Sequence, residues 1–354
     1  MRKLITAFSA AIIIVIASAL TVFAADNPNR MSITWTFTVH AEPDSQARPI
    51  ATFLPQNVNI VQHDQGDGWI QISTYHGEVW TNIIRPLTGR TIILDAGHGL
   101  GSDNVFMGYS EQATMLRLAH MIRPLLTEQG ATVFMTRDTQ TNVALPVRAA
   151  RINLFALETL CQSSPYYETT EIDRLMGIMQ KIIADYEAYA PTYFNFPFDW
   201  SFQRPIHPDL QRIFELQANP IIRDNFLMIS LHTNATRLPI NPNIDGADIY
   251  RMTNDLDRSE NYFANYAGVN RTYLFADMLL YGIHDIGINR NEIKPGNWFV
   301  IREHNLPGVL VENGFHTSHR DRALLSSDQF LQRLALVYRD AILQYFEAIT
   351  EGGI

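Results

Sequence analysis

TIILDAGHG, residues 91–99, is an unbroken apolar run that ends in an acid, two small residues and a histidine between glycines. A run with no polar alternation reads as a strand covered on both faces, here entering a loop. Two other stretches have the same form: FLMISL (226–231) leads into His232, and GVLV (308–311) leads into Glu312. ATVFMT (131–136), ADIY (247–250) and WFVI (298–301) read as further strands. Ser110 is placed to cap a helix running to about Gln129, with Gly130 as its stop. Two more helices fit at about 271–286 and 328–348. Strands alternating with helices predict an α/β domain over residues 90–350, with a mostly parallel sheet and helices on both faces.

One segment breaks this alternation. Residues 155–222 are far longer than an ordinary connection and are rich in apolar residues, so they predict an inserted subdomain. It holds a helical stretch at about 171–189, the aromatic run YFNFPFDW (193–200) and a second helix near 207–217. The aromatic run includes Tyr193, Phe194, Phe196, Phe198 and Trp200, which must pack on the domain or cover something. The segment either decorates the domain far from its chemistry or walls the cleft and helps choose the substrate.

Ahead of the α/β domain, residues 33–86 contain ITWTFTV, PIATFL, VNIVQ, WIQIS and EVWTNII, separated by turn signals. Five short β-rich runs predict a small all-β barrel. Its order of features resembles the bacterial SH3-like domain, on the GDGW stretch ending at Trp69 and the GEVW stretch ending at Trp80. Both tryptophans read as core aromatics ahead of ligand contacts. Further upstream, Arg2 and Lys3 precede an uncharged run over residues 4–25. That pattern predicts a secretory signal cut after Ala24, or an uncleaved anchor, and either places the rest of the chain outside the cytoplasm.

Charge and cysteine content narrow the classes. The 354 residues carry a formal net charge of -9, which becomes -11 without Arg2 and Lys3. Nucleic acid is excluded as a partner, because it calls for a basic face. An anionic polymer would have to be held by specific contacts. A membrane enters only through an uncleaved anchor. The single cysteine, Cys161, forms no internal disulfide and reads as an incidental thiol.

His98, His232 and Glu312 each follow an apolar strand, and ligands of open α/β sheets bind outside the carboxyl ends of strands. Glu111, on the first turn of the helix after the His98 loop, reaches the same edge. Taken singly, each has an ordinary role: a satisfied histidine, or an acid suited to a helix N-terminus. Glu312 is the stranger residue, since a carboxylate after Val309, Leu310 and Val311 is costly without a partner. Two imidazoles and one carboxylate, with no thiolate at hand, match a catalytic zinc site with its fourth position open. Such a site needs a second carboxylate to shuttle a proton from water to the leaving nitrogen, and Glu312 is the candidate.

These stretches together resemble the zinc-dependent N-acetylmuramoyl-L-alanine amidase family. DAGHG is similar to that family's D-P-G-H-G, and SEQATMLRLAHMI carries the second ligand position. FMTRDTQTNVALPVRAARIN resembles T-R-x-x-D…L-x-x-R-x-x-x-A-N, SLHTNA resembles S-I-H-A-N-A, and GADIY resembles the strand that follows. LPGVLVENGFHTSHRD is similar to P-A-V-L-V-E-x-G-F-L-S-N-x-x-D. The resemblance implies that His98, Glu111 and His232 hold Zn2+, that Glu312 is the catalytic acid/base, and that the substrate is the peptidoglycan amide joining N-acetylmuramic acid to L-alanine. The same ligands would serve a zinc peptidase, and a wall-binding protein without activity is the third reading. Asn234 is a candidate substrate contact or a support of its own loop. Arg137 and Arg148 are expected to make salt bridges that hold the fold. Ala96 replaces the family proline, and His316, Thr317 and Ser318 stand where the family has L-S-N. His316 and His319 are expected at the surface or the pocket rim.

Overall fold

In the computed structural model the described residues are 29–352, excepting 34–36, 45–46, 55, 65–67, 103, 164–168, 196–204, 255–261 and 264. The expected signal or anchor at 1–25, and Phe196, Phe198 and Trp200 of the aromatic run, therefore lie outside the described residues. The chain divides into two compact units at Pro86/Leu87. No helix among the described residues is long and apolar enough to cross a membrane.

Among its described residues the first unit has six strands where the sequence suggests five: β1 (Arg30–Ile33), β2 (Phe37–His40), β3 (Pro49–Phe53), β4 (Gln56–Gln62), β5 (Trp69–Thr74) and β6 (Gly77–Asn82). They form one antiparallel sheet in the order β1-β4-β5-β6-β2-β3. Ile70 and Ile72 of β5 and Val79 of β6 point into a core shared with Ile33, Phe37, Val39, Val58 and Ile60. By the period-2 alternation of strands, Trp69 and Trp80 fall on the opposite face. Both are half-buried, so they are not the core aromatics the sequence suggests. The Trp69 ring instead meets His40 edge-on, with centroids 5.5 Å apart.

The second unit runs β7 (Thr91–Ala96), β8 (Val105–Phe106), β9 (Tyr109–Ser110), α1 (Glu111–Glu128), β10 (Thr132–Met135), α2 (Leu145–Ser163), α3 (Thr169–Ala184), α4 (Tyr186–Tyr193), α5 (Pro208–Gln217) and α6 (Pro220–Arg223). It continues with β11 (Phe226–Asn234), β12 (Ala247–Arg251), α7 (Val269–Asp285), β13 (Arg290–Pro295), α8 (Phe299–Arg302), β14 (Gly308–Phe315), α9 (His319–Leu325) and α10 (Asp328–Gly352). The large sheet has the order β10-β7-β11-β14-β12-β13. Every neighbouring pair is parallel except β14 with β12. Two details depart from the sequence reading. WFVI forms the short helix α8 rather than a strand, and the polar RNEIKP forms the strand β13 at the sheet edge.

The unbroken apolar runs are explained by burial on both faces. Ile92, Leu94, Leu227, Ile229, Val309 and Val311 join the core under α1, α7 and α10. Their neighbours Ile93, Met228 and Leu310 point the other way, into a second core with α2, α3 and α5. The inserted helices therefore build one face of the sheet. Phe194, from the aromatic run, is fully buried there and meets the Phe299 ring edge-on at 5.8 Å. The expected start of the insertion, residue 155, falls inside α2, which continues to Ser163.

Candidate metal centre

The end of β7 is held from beneath by two buried arginines. Arg148 pairs with Asp95 at 3.0 Å and donates to the carbonyls of Ala96 (2.7 Å) and His98. Arg137 donates to the carbonyls of Ala96 (2.7 Å), Gly97 (2.8 Å) and Gln112 (2.9 Å). The expected salt bridge is therefore seen at Arg148, whereas Arg137 works on backbone carbonyls. Burial alone would raise the Asp95 acid, but Arg148 and the hydroxyls of Ser230 and Thr136 outweigh it and hold it low. This clamp supports a left-handed backbone at His98 (φ 58°), a conformation that disfavours side chains other than glycine. Gly97 is required for a second reason: a Cβ there would lie 2.4 Å from the His232 ring.

His98, Glu111 and His232 offer donor atoms that all lie within 4.8 Å of one another. The helix start explains the place of Glu111. Ser110 caps α1 by accepting from Ala113 N, which aims the first-turn carboxylate at the strand ends. Its Oε1 lies 3.1 Å from His232 Nδ1 and accepts from Thr233 N at 2.9 Å. Its Oε2 lies 3.3 Å from His98 Nε2 and accepts from Asn104 Nδ2 at 2.7 Å. His98 Nδ1 is 2.8 Å from the Ser102 carbonyl, so that nitrogen keeps its proton and Nε2 is the one free to ligate. Burial pushes Glu111 up, but the two imidazoles reverse this and hold its carboxyl well below the usual range. Burial likewise pushes His98 down, and Glu111 with the Ser102 carbonyl brings it back above its ordinary value.

Glu312 stands in the same row of the sheet. It is in register with His232 on one side and with Asp248 on the other. The residue keeps some exposure, but its Oε2 is sealed from solvent and has no hydrogen-bond partner among the described residues. Burial, then the neighbouring carboxylates of Glu111 and Asp248, push its acid well above the usual range. Asp248 is itself buried and is neutralised by Lys294 at 2.8 Å.

The other candidates settle differently. Asn234 donates weakly to Asp248 of β12 (3.4 Å) and accepts from Ala235 N in its own loop (2.8 Å). His319 is exposed, whereas His316 is buried, which leaves the pocket rim of its two expected places. Cys161 is a free, partly buried thiol. Sequence reasoning missed Asn104 and Asp248. No local pattern marks Asn104 in its loop, and Asp248 appears only once the antiparallel pairing of β12 with β14 is known.

The profile of the N-acetylmuramoyl-L-alanine amidase family matches residues 92–160 and 213–344. The gap between the two stretches covers α3, α4 and the first part of α5. Among curated relatives, an uncharacterised cell wall amidase of Bacillus anthracis is 23% identical over 331 residues, covering 90% of this chain and 48% of that protein. The germination-specific N-acetylmuramoyl-L-alanine amidase of Bacillus subtilis is 39% identical over 71 residues, or 20% of this chain and 30% of that one. The chain thus spans about half or less of the length of these relatives. Among solved structures, an N-acetylmuramoyl-L-alanine amidase from Clostridium difficile 630 is 15% identical with a TM-score of 0.46, covering 73% of this chain and 97% of that one.

Proposed function

The chain belongs to the N-acetylmuramoyl-L-alanine amidase family, and on that premise we propose that it hydrolyses the peptidoglycan amide between N-acetylmuramic acid and L-alanine with one zinc ion held by His98, Glu111 and His232. The observation that carries this reading is the convergence of those three donors beside the unpartnered Oε2 of Glu312. The donor set suits a catalytic zinc: two imidazoles, one carboxylate and no thiolate. Zinc at such a site lowers the pKa of water to roughly 7 and polarises a carbonyl oxygen.

The protein groups divide the remaining work. Glu312 takes the proton of the attacking water on its carboxylate and returns it to the amide nitrogen as that nitrogen leaves. Burial and the neighbouring carboxylates of Glu111 and Asp248 favour the proton-holding form of Glu312, the form that gives the proton to the leaving nitrogen. Arg148 and Arg137 fix the His98 loop, so the imidazole does not have to be ordered when metal or substrate arrives. The chain's first unit is an SH3-like module that holds the enzyme on the wall, residues 1–25 direct export or anchor it, and the segment around 155–222 is an insertion into the catalytic domain.

The test is digestion of purified peptidoglycan, with products identified by mass. The expected product is a free L-alanine amino terminus with intact muramic acid, lost on chelation and regained with zinc. Cleavage within the stem peptide would instead identify a peptidase, and no cleavage by a zinc-loaded chain would leave a wall-binding protein.

A further inference from the structure

Two departures from the family pattern touch each other. Thr233 stands where S-I-H-A-N-A has alanine, and His316 stands where the family has leucine. In the structure His316 Nδ1 lies 3.0 Å from Thr233 Oγ1. We propose that His316 and Tyr109 are positioning residues for the metal ligand Glu111, acting through Thr233. This rests on the metal-centre reading given above.

The argument begins at the strand. The pairing of β11 with β14 shifts register between His232 and Asn234, and Thr233 falls in that irregularity. Its N–H turns to Glu111 Oε1 at 2.9 Å. An N–H aims a carboxylate only as well as its own peptide is held, and a strand irregularity removes part of the ladder that would hold it. The Thr233 side chain supplies the missing hold. Tyr109 OH donates to its Oγ1 at 3.4 Å, and the same oxygen shares a hydrogen bond with His316 Nδ1.

His316 is fixed independently of Thr233. Its side chain is 2% exposed and lies nearly parallel to the Tyr109 ring, at 12° and 5.5 Å between centroids. Its own N–H donates to the Asn234 carbonyl, and its carbonyl accepts from Arg322, both at 2.9 Å. Tyr109 also immediately precedes Ser110 and Glu111 at the start of α1. The contacts therefore close a ring from the helix start, through Glu111 and Thr233, to His316 and back to Tyr109. That ring ties the helix that delivers one ligand to the strand that delivers another. Outer groups that orient metal ligands commonly change metal affinity by about 10- to 100-fold.

The experiment measures the zinc dissociation constant by competition with a chromophoric chelator, alongside the melting of the metal-free protein. Variants are His316→Leu, Thr233→Val, the pair together, and His316→Asn, whose side-chain amide restores a polar atom near the Nδ1 position. Each of the first two should weaken zinc binding by about tenfold or more. The pair should lose no more than one of them, because both remove the same link. His316→Asn should recover most of the loss. Wild-type zinc affinity in a folded His316→Leu or Thr233→Val chain would overturn the proposal, and so would additive losses in the pair. Thr233→Val keeps the shape of the strand and decides alone if His316→Leu does not fold. A wild-type chain that binds no zinc in the same assay would overturn the metal-centre reading itself.

Discussion

At both ends of the stretch that leads from Arg302 into the middle of β14 the chain buries ionisable groups, and it treats them in opposite ways. Before the strand, Arg302 and Glu303 form a 2.7 Å ion pair that is almost wholly sealed from water. Glu303 also accepts from the Tyr262 hydroxyl, and Arg302 donates to Asn297 at 2.8 Å and to the Asn195 carbonyl at 3.3 Å. The adjoining Asn305 is tied to Gln217 and to the Phe214 carbonyl of α5. After Gly308 and three apolar residues, the other end presents Glu312 with a sealed oxygen and no partner for it among the described residues. A satisfied buried network specifies a structure, whereas a buried carboxylate left unsatisfied is a cost retained for some use. The contrast separates a satisfied network from an unsatisfied carboxylate within one short stretch of chain.

The sharpest way to break that contrast is to take one charge from the satisfied end. Glu303→Gln leaves Arg302 buried without its counter-charge, a change that costs about 3–5 kcal/mol in such pairs. Urea unfolding should register that loss, while the folded fraction binds zinc with unchanged affinity. A loss below about 1 kcal/mol would mean that the pair is not the anchor described here. The matching change at the other end is Glu312→Gln. It should lower kcat on the order of 10²-fold, about 2.7 kcal/mol, with zinc content kept and the melting temperature equal or higher. Equal activity would remove Glu312 from the mechanism, and lost zinc would make it a ligand.

How much of this was legible in the sequence follows the same divide. The site end was readable because its signals are local: an apolar strand, then a histidine or glutamate, and Ser110 capping the helix that starts at Glu111. The scaffold end was not. WFVI is too short for its apolar run to distinguish a strand from the helical turn it forms. RNEIKP was missed because an exposed edge strand needs no apolar face. The pairing of Gln217 with Asn305 joins residues far apart in the chain, and no local pattern announces it. The same holds for His316: a histidine beside other polar residues reads as surface or pocket rim until its partner Thr233 is brought to it from β11. The inserted helices read as an addition, yet Leu175, Phe194 and Phe214 belong to the core under the sheet.

The smallest effect refines the comparison, because the satisfied end has one exception. His304, between Glu303 and Asn305, is fully buried and accepts from Leu306 N at 3.1 Å through Nδ1. Its Nε2 has no partner among the described residues. Burial pushes the imidazole down to about 4, so the native state holds it neutral while the unfolded chain, near its ordinary value of 6.5, takes up a proton. Below 6.5 the unfolded state binds more protons, so stability is fully present above that pH and is lost as pH falls toward 4. Between pH 7 and 5 the loss from this one group is about 2 kcal/mol. Glu312 and His98 also titrate differently in the folded state, so the wild-type profile alone does not isolate it. The difference between wild type and His304→Asn does, since Asn keeps an acceptor for Leu306 N and has no proton to gain. That difference should narrow by about 2 kcal/mol from pH 7 to pH 5, read from urea midpoints at each pH. A difference that stays constant across that range would mean that His304 is not held neutral. The contrast between the two ends of this stretch would then rest on Glu312 alone.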